Sequence, residues 1–212
     1  NYNLLEFLTH IGHSEKVFIM KRLLLILILT FSFQALTKAD DIRDFEIEGM
    51  SIGDTIKQHI SDKIFLERKK YEYKYKHTFA VIGFIDTKYK IYEKVRFTYK
   101  PEDKKRTIHG IDGVIYFDDA LNKCLDLQKD IAADIKLSLK DYKLNEDIYD
   151  HWADTTKQSK VHQIAYDLSS GDSLVITCFD WSKNLTKEKG WRDNLKVSIL
   201  TKELAEFFIS LN

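Results

Sequence analysis

From Tyr71 to Tyr99 the chain alternates. Tyr71, Tyr73, Tyr75, Phe79, Val81 and Ile85 share one parity, with His77 and Gly83 among them, and Glu72, Lys74, Lys76 and Thr78 take the other. A period of two marks a strand with one buried face. Ile82 and Phe84 make the second face apolar further along, so the spacing predicts one long strand from Tyr71 to Ile85. After a turn at Asp86-Thr87, Tyr89, Ile91, Val95, Phe97 and Tyr99 alternate with Lys90, Lys94, Arg96 and Thr98. That predicts the second arm of an antiparallel hairpin. Pro101 opens a charged turn, and a third strand follows through Ile108, Ile111, Val114, Ile115, Tyr116 and Phe117. Gly110 and Gly113 within it predict a bulge or a close packing approach.

Elsewhere the period is helical. Ser51 and Asp54 suit a helix start, because a hydroxyl caps orphan N–H groups and a carboxylate favours the positive end. Ile52, Ile56, Ile60 and Ile64 then recur every fourth residue and predict one buried face. Asp118 and Asp119 suit a second helix start, and Leu121, Cys124, Gln128, Ile131, Ile135, Leu139 and Tyr142 step by three and four along a long amphipathic helix. Residues 143–159 read as polar and irregular. Val161 to Leu168 and Leu174 to Trp181 read as strands around the turn Ser169-Ser170-Gly171-Asp172. A last strand, Leu195 to Leu200, passes through Thr201 as cap into a closing helix with Leu204, Phe207, Phe208 and Leu211. With a short strand around Phe45-Glu46-Ile47 in front, the order is β-α-βββ-α-βββ-α. Hairpin-linked strands between helices predict an α+β fold, an antiparallel sheet with helices packed on one face.

Composition narrows the class by exclusion. The chain has 212 residues, 44% hydrophobic and 31% charged, which suits one globular domain and is too apolar for a disordered chain. Met20 is the first methionine, and residues 1–19 before it read as an upstream tail outside the native product. Residues 20–39 read as an export signal. Lys21-Arg22 is basic, Leu23 to Phe33 is apolar except for Thr30 and Ser32, and small residues stand at Thr37 and Ala39. The eleven apolar-stretch residues rise only about 17 Å as a helix, against about 30 Å of hydrocarbon core. A cleaved signal is therefore expected, with an uncleaved inner-membrane anchor as the alternative. Residues 40–212 then form a single domain, periplasmic or secreted.

The 33 basic and 33 acidic side chains cancel, so bulk charge gives no case for a nucleic-acid binder. Locally they do not cancel: residues 63–100 carry +7 and residues 107–159 carry −5. Arg68, Lys69, Lys70, Lys74 and Lys76 interleave with tyrosines, a pattern that can hold single-stranded nucleic acid, an anionic sugar or a membrane surface and that also protects a strand edge. Two cysteines, Cys124 and Cys178, permit one disulfide in an oxidising compartment, or two buried thiols.

Candidate chemistry is sparse. Gly171-Asp172-Ser173-Leu174 spells the name-giving motif of the GDSL hydrolases, but no histidine follows His162 to serve as the base. No two of His59, His77, His109, His151 and His162 have the spacing of a helical metal pair, and no cofactor motif is found. His109, Asp112 and Asp118 form the one polar group that could meet as acid and base. Trp152, Trp181 and Trp191 could make a sugar platform, or serve singly as packing anchors.

The stretch Asp41-Ile42-Arg43-Asp44-Phe45-Glu46-Ile47-Glu48-Gly49-Met50-Ser51-Ile52-Gly53-Asp54 resembles a group of small exported proteins of AT-rich marine bacteria. The blocks Cys178-Phe179-Asp180-Trp181-Ser182 and Trp191 to Ile199 are similar to theirs. That resemblance implies export and no particular activity. The function expected is that of an exported, non-catalytic binding or interaction domain, its partner an envelope protein or a small ligand. Export sets nucleic acid aside as the natural partner, and membrane contact is expected only through the signal segment. A small exported hydrolase and an inner-membrane-anchored envelope protein are the alternatives.

Overall fold

The computed structural model describes residues 41–68, 70–72, 78–118 and 120–210. The expected export signal therefore lies outside the described residues.

The first elements are short. Strands β1 (Glu46–Ile47) and β2 (Met50–Ser51) pair antiparallel around Glu48 and Gly49, both at positive φ (55° and 75°). Left-handed backbone at both central positions is what a two-residue hairpin needs for its twist. Glu48 tolerates it with its carboxylate fully used, accepting N–H bonds from Lys90, Ile91 and Tyr92 at 2.9, 2.7 and 3.0 Å. The helix expected from Ser51 is instead two. Ser51 belongs to β2, helix α1 spans Ile56–His59 and helix α2 spans Asp62–Glu67. Ile60 takes an extended conformation between them, and Ser61 caps α2 by accepting from Ile64 N–H. Breaking the helical path rotates Ile64 off the buried face, and it is 45% exposed.

The main sheet holds β3 (Lys70–Glu72), β4 (Ala80–Phe84), β5 (Lys94–Tyr99), β6 (Gly110–Tyr116), β7 (Tyr142–Asp150), β8 (Lys160–Leu168), β9 (Ser173–Asp180) and β10 (Asn194–Leu200). Helix α3 (Leu121–Ser138) joins β6 to β7, α4 (Lys183–Lys189) joins β9 to β10, and α5 (Lys202–Ile209) follows β10. The spatial order is β3-β4-β5-β6-β10-β9-β8-β7, with every pair antiparallel. Two four-stranded meanders thus meet at β6 and β10, each followed by a helix.

The expected α+β class with an antiparallel sheet is what the chain adopts. Three details differ. β3 pairs back on β4, so the alternating run that reads as one long strand is two arms of a hairpin. Residues 142–150, placed partly in the long helix and partly in irregular chain, form edge strand β7. The helices lie on both faces rather than one, as the registers show.

Facing residues in paired strands point the same way. Ile82, Phe97, Ile111, Ile199, Leu174 and Tyr166 therefore make one continuous row across six strands, and all six are buried. A second row on that face includes Phe84, Val95, Val197 and Ile176. Gly113 sits in it because the Tyr92 ring passes there: a Cβ would lie 2.5 Å from ring carbons. Helix α3 covers this face over β8, β9 and β10 with Cys124, Leu127, Ile131 and Ile135. Its polar contribution is satisfied, since the Gln128 amide donates to the carbonyls of His162 and Ile176, each at 2.8 Å. Tyr166 returns a bond to the Ala132 carbonyl at 2.6 Å. Cys124 and Cys178 are joined in a disulfide, with Cα atoms 6.0 Å apart.

The opposite face is polar at its centre, with Arg96, Asp112 and Ser198 in one row and Lys196, Thr177 and Gln163 in the next. Helix α5 closes one end of it. Leu204 lies where a Cβ on Gly110 would stand, 2.4 Å from its Cδ2, and packs with Phe79 and Phe207. Thr201 caps that helix, accepting from Leu204 N–H at 3.4 Å, as its position predicts.

Candidate binding site

The polar group expected from sequence does not converge. His109, Asp112 and Asp118 lie before, within and after β6, and at about 3.3 Å per strand residue His109 and Asp118 stand about 30 Å apart. Each has its own partners. His109 lies 3.7 Å from Glu203 and edge-on to Phe79, and burial holds its pKa below the usual value, reinforced by Lys100. Asp112 accepts from Arg96 at 2.7 and 3.0 Å. Burial pushes its carboxyl up, but Arg96 and Lys196 outweigh that and hold it ionised below its usual range. Asp118 pairs with the Arg192 guanidinium through both oxygens, at 2.9 and 3.0 Å. It does not cap α3, whose N-cap is Ala120.

Of the basic stretch, Arg68 is exposed just past α2 and Lys70 opens edge strand β3, while Lys69, Lys74 and Lys76 lie outside the described residues. Ser173 is a turn-flanking strand residue whose hydroxyl donates to Asp167 at 2.8 Å. Gly171 beside it adopts φ 90°, as a tight connection requires. Among the described residues no three His, Cys, Asp or Glu side chains are grouped to hold a metal ion, and no helix is long and apolar enough to cross a membrane.

What does converge is aromatic. Phe179 and Trp181 are two apart on the same strand end, their rings parallel within 5° and 5.5 Å between centroids. His151, just past β7, lies 4.5 Å from Trp181, and Trp191, just before β10, lies 4.5 Å from the same indole. Trp152 stacks on the outside of His151 at 5.6 Å and is 87% exposed. Three tryptophans that are remote in sequence thus share one cluster with a histidine at its centre.

The two loops that carry them are fixed by hydrogen bonds. Asp154 accepts from the backbone and hydroxyl of both Thr156 and Ser159, at 2.6 to 2.9 Å. These donors, Ser159 first, hold its carboxyl far below its ordinary value. Ser159 in turn accepts from Ser182 N–H at 2.9 Å, which ties the β7–β8 loop to the residue after Trp181. Buried Asp193 accepts from the backbone N–H of Trp181 at 2.8 Å and so ties the two ends of the β9–β10 loop together. Ser182 caps α4, and Gly190 ends it at φ 67°, delivering Trp191 beside Trp181.

Electrostatics set the polar edge of the cluster. His151 Nδ1 accepts from Ala153 N–H at 3.1 Å, which leaves the proton on Nε2. Burial holds His151 below its usual pKa, with Lys196 adding to the effect and Asp154 opposing it. Lys196 reaches from the polar sheet face to 5.3 Å from the Phe179 ring, an attractive arrangement for a cation. On the opposite face of these strands Lys160 faces Asp180 in register and pairs with Asp150 at 2.5 Å.

The sequence raises a platform of the three tryptophans beside the reading of single packing anchors and does not decide between them, because it leaves β7 unrecognised. The signal present was Asp154-x-Thr156-x-x-Ser159, a turn built on one carboxylate. Comparison with protein-family models, curated proteins and solved structures finds no match to this chain.

Proposed function

We propose that this chain is an exported, non-catalytic binding domain that takes a saccharide on the surface formed by His151, Trp152, Trp181 and Trp191. The observation that carries the reading is Trp152: an indole 87% exposed, seated on a cluster whose loops are fixed before any ligand arrives. Leaving an aromatic side chain in water forgoes about 1.5–3 kcal/mol of burial. An indole held rigidly outward returns that energy when a second apolar surface covers it, with little ordering cost.

A sugar ring offers the matching chemistry, an apolar C–H face for the indole and a periphery of hydroxyls. The His151 Nε2–H and the Lys196 ammonium, 5.3 Å from the Phe179 ring, stand beside the cluster as the polar partners such hydroxyls need. Export is supported by the Lys21 to Ala39 segment and by the Cys124–Cys178 disulfide, a bond that persists in oxidising compartments. The test is titration of the purified chain with soluble neutral and acidic polysaccharides, read by tryptophan fluorescence and affinity electrophoresis. Trp152→Ala should weaken binding at least about tenfold, the equivalent of about 1.4 kcal/mol, with an unchanged melting curve. No retardation by any polysaccharide, or equal retardation of the variant, would refute the reading.

A further inference from the structure

Strand β7 is an edge of unusual form. It runs nine residues, Tyr142–Asp150, and pairs with β8 in unbroken register from Tyr142↔Leu168 to Asp150↔Lys160. Among the described strands it has a neighbour on one side only. A free edge presents a row of unpaired backbone groups, which proteins ordinarily shorten, bulge, interrupt with proline or cover. β7 has no bulge and no proline, and it exposes large apolar side chains, Leu144 at 39%, Tyr149 at 44% and Ile148 at 67%. It does carry charges, Lys143, Glu146, Asp147 and Asp150, and their order along the strand is informative.

We infer that β7 is the seam of a homodimer, in which a second copy of this chain adds its own β7 antiparallel and the two sheets run on as one. A two-fold axis perpendicular to the sheet pairs residues whose numbers have an even, constant sum, so that both members of each pair lie on the same face. Centred on Asn145, that axis sets Lys143 opposite Asp147 of the partner subunit, and by symmetry does so twice. Tyr142 then faces Ile148, Leu144 faces Glu146, and no like charges meet. The neighbouring registers are worse. Centring on Glu146 or on Asp147 sets that carboxylate against itself, centring on Lys143 sets two ammonium groups together, and centring on Leu144 sets Asp141 against Asp147. Directly opposed like charges destabilise a strand pair and opposite charges stabilise it. The charge order of β7 therefore selects one self-pairing, which is what a self-complementary seam requires.

The proposal is independent of the saccharide reading, and its test reads mass rather than ligand. Sedimentation velocity of the purified chain over a wide concentration range should show a reversible monomer–dimer equilibrium. Asp147→Lys should weaken association at least about tenfold, because both attractive pairs become repulsive, and Lys143→Asp should do the same. The double variant Lys143→Asp/Asp147→Lys restores the pairs with their signs exchanged and should recover the dimer. Circular dichroism melts of all three establish that each is folded. A chain that stays monomeric at hundreds of micromolar overturns the inference, as does a dimer indifferent to Asp147→Lys or a double variant that fails to recover. Association only after an unrelated extended peptide is added would also overturn it, by making the edge a site for another partner.

Discussion

His151 stays neutral because its surroundings oppose a second proton. Burial between Trp152 and Trp181 and the ammonium of Lys196 disfavour the imidazolium, and Asp154 does not offset them. Asp154 is already committed to Thr156 and Ser159, so its charge serves the loop before it serves the ring. The sign of the resulting pH effect follows from linkage. The unfolded imidazole titrates near the ordinary value of about 6.5 and the folded one below it, so as pH falls through that window the unfolded state binds more protons. Stability from this group is complete above the unfolded value and declines toward the folded one. His109 shifts in the same direction, through burial first and Lys100 second, and contributes with the same sign. The melting temperature should therefore fall between pH 7.5 and pH 5, and His151→Phe should flatten that slope without abolishing it. A variant as pH-sensitive as the parent would show that the ring is not held neutral by its neighbours.

At the scale of elements, glycine separates a close approach from a mere absence of side chain. Gly113 and Gly83 both lie within strands of the sheet, but their neighbours differ. A Cβ at Gly113 meets the Tyr92 ring at 2.5 Å, and that ring is buried and cannot swing away. A Cβ at Gly83 meets Lys94 Cε at 2.8 Å, near the tip of a flexible arm. Gly113→Ala should cost about 1–3 kcal/mol as an overpacking strain, whereas Gly83→Ala should stay within about 0.5 kcal/mol. Urea denaturation of the two variants decides it, and equal midpoints would contradict the packing argument. The close approach at Gly113 was legible in the sequence, as were β6, α3, the β8–β9 hairpin and the Thr201 cap, because each pairs a clear period with a boundary residue. The β3–β4 hairpin was not, since Tyr71, Tyr73, Tyr75, Phe79 and Val81 keep one parity whether the chain runs straight or folds back. Strand β7 was not either: at an edge both faces meet water, and Lys143, Asn145, Glu146 and Asp147 leave no alternation to read. With β7 unseen, a shared tryptophan platform could not be chosen over single packing anchors, because register alone brings the loop after Asp150 beside the strand end that carries Trp181.

The main sheet of the described residues is two meanders, and the covalent tie lies in the second. The disulfide joins α3, the crossover that ends the first meander, to β9 near the centre of the second, and spans 54 residues that include all of β7 and β8. Closing a loop of that length removes chain entropy worth about 4 kcal/mol from the unfolded state, which is a large share of the roughly 5–15 kcal/mol typical of a domain. Replacing Cys124 and Cys178 together with alanine should lower the unfolding free energy by about that amount while leaving the circular dichroism spectrum of the folded chain unchanged. Both sulfur-bearing residues are buried, Cys178 beneath α3 and between Leu195 and His162 in register. A reductant then reaches the bond only when the sheet and helix part. The rate of thiol release in excess dithiothreitol should follow the unfolding rate, staying slow in buffer and rising with urea along the unfolding limb of the kinetics. Fast, urea-independent reduction would mean that α3 leaves the sheet without global unfolding. The helix would then be a separately opening lid, and its disulfide would tie down that lid without stabilising the whole domain.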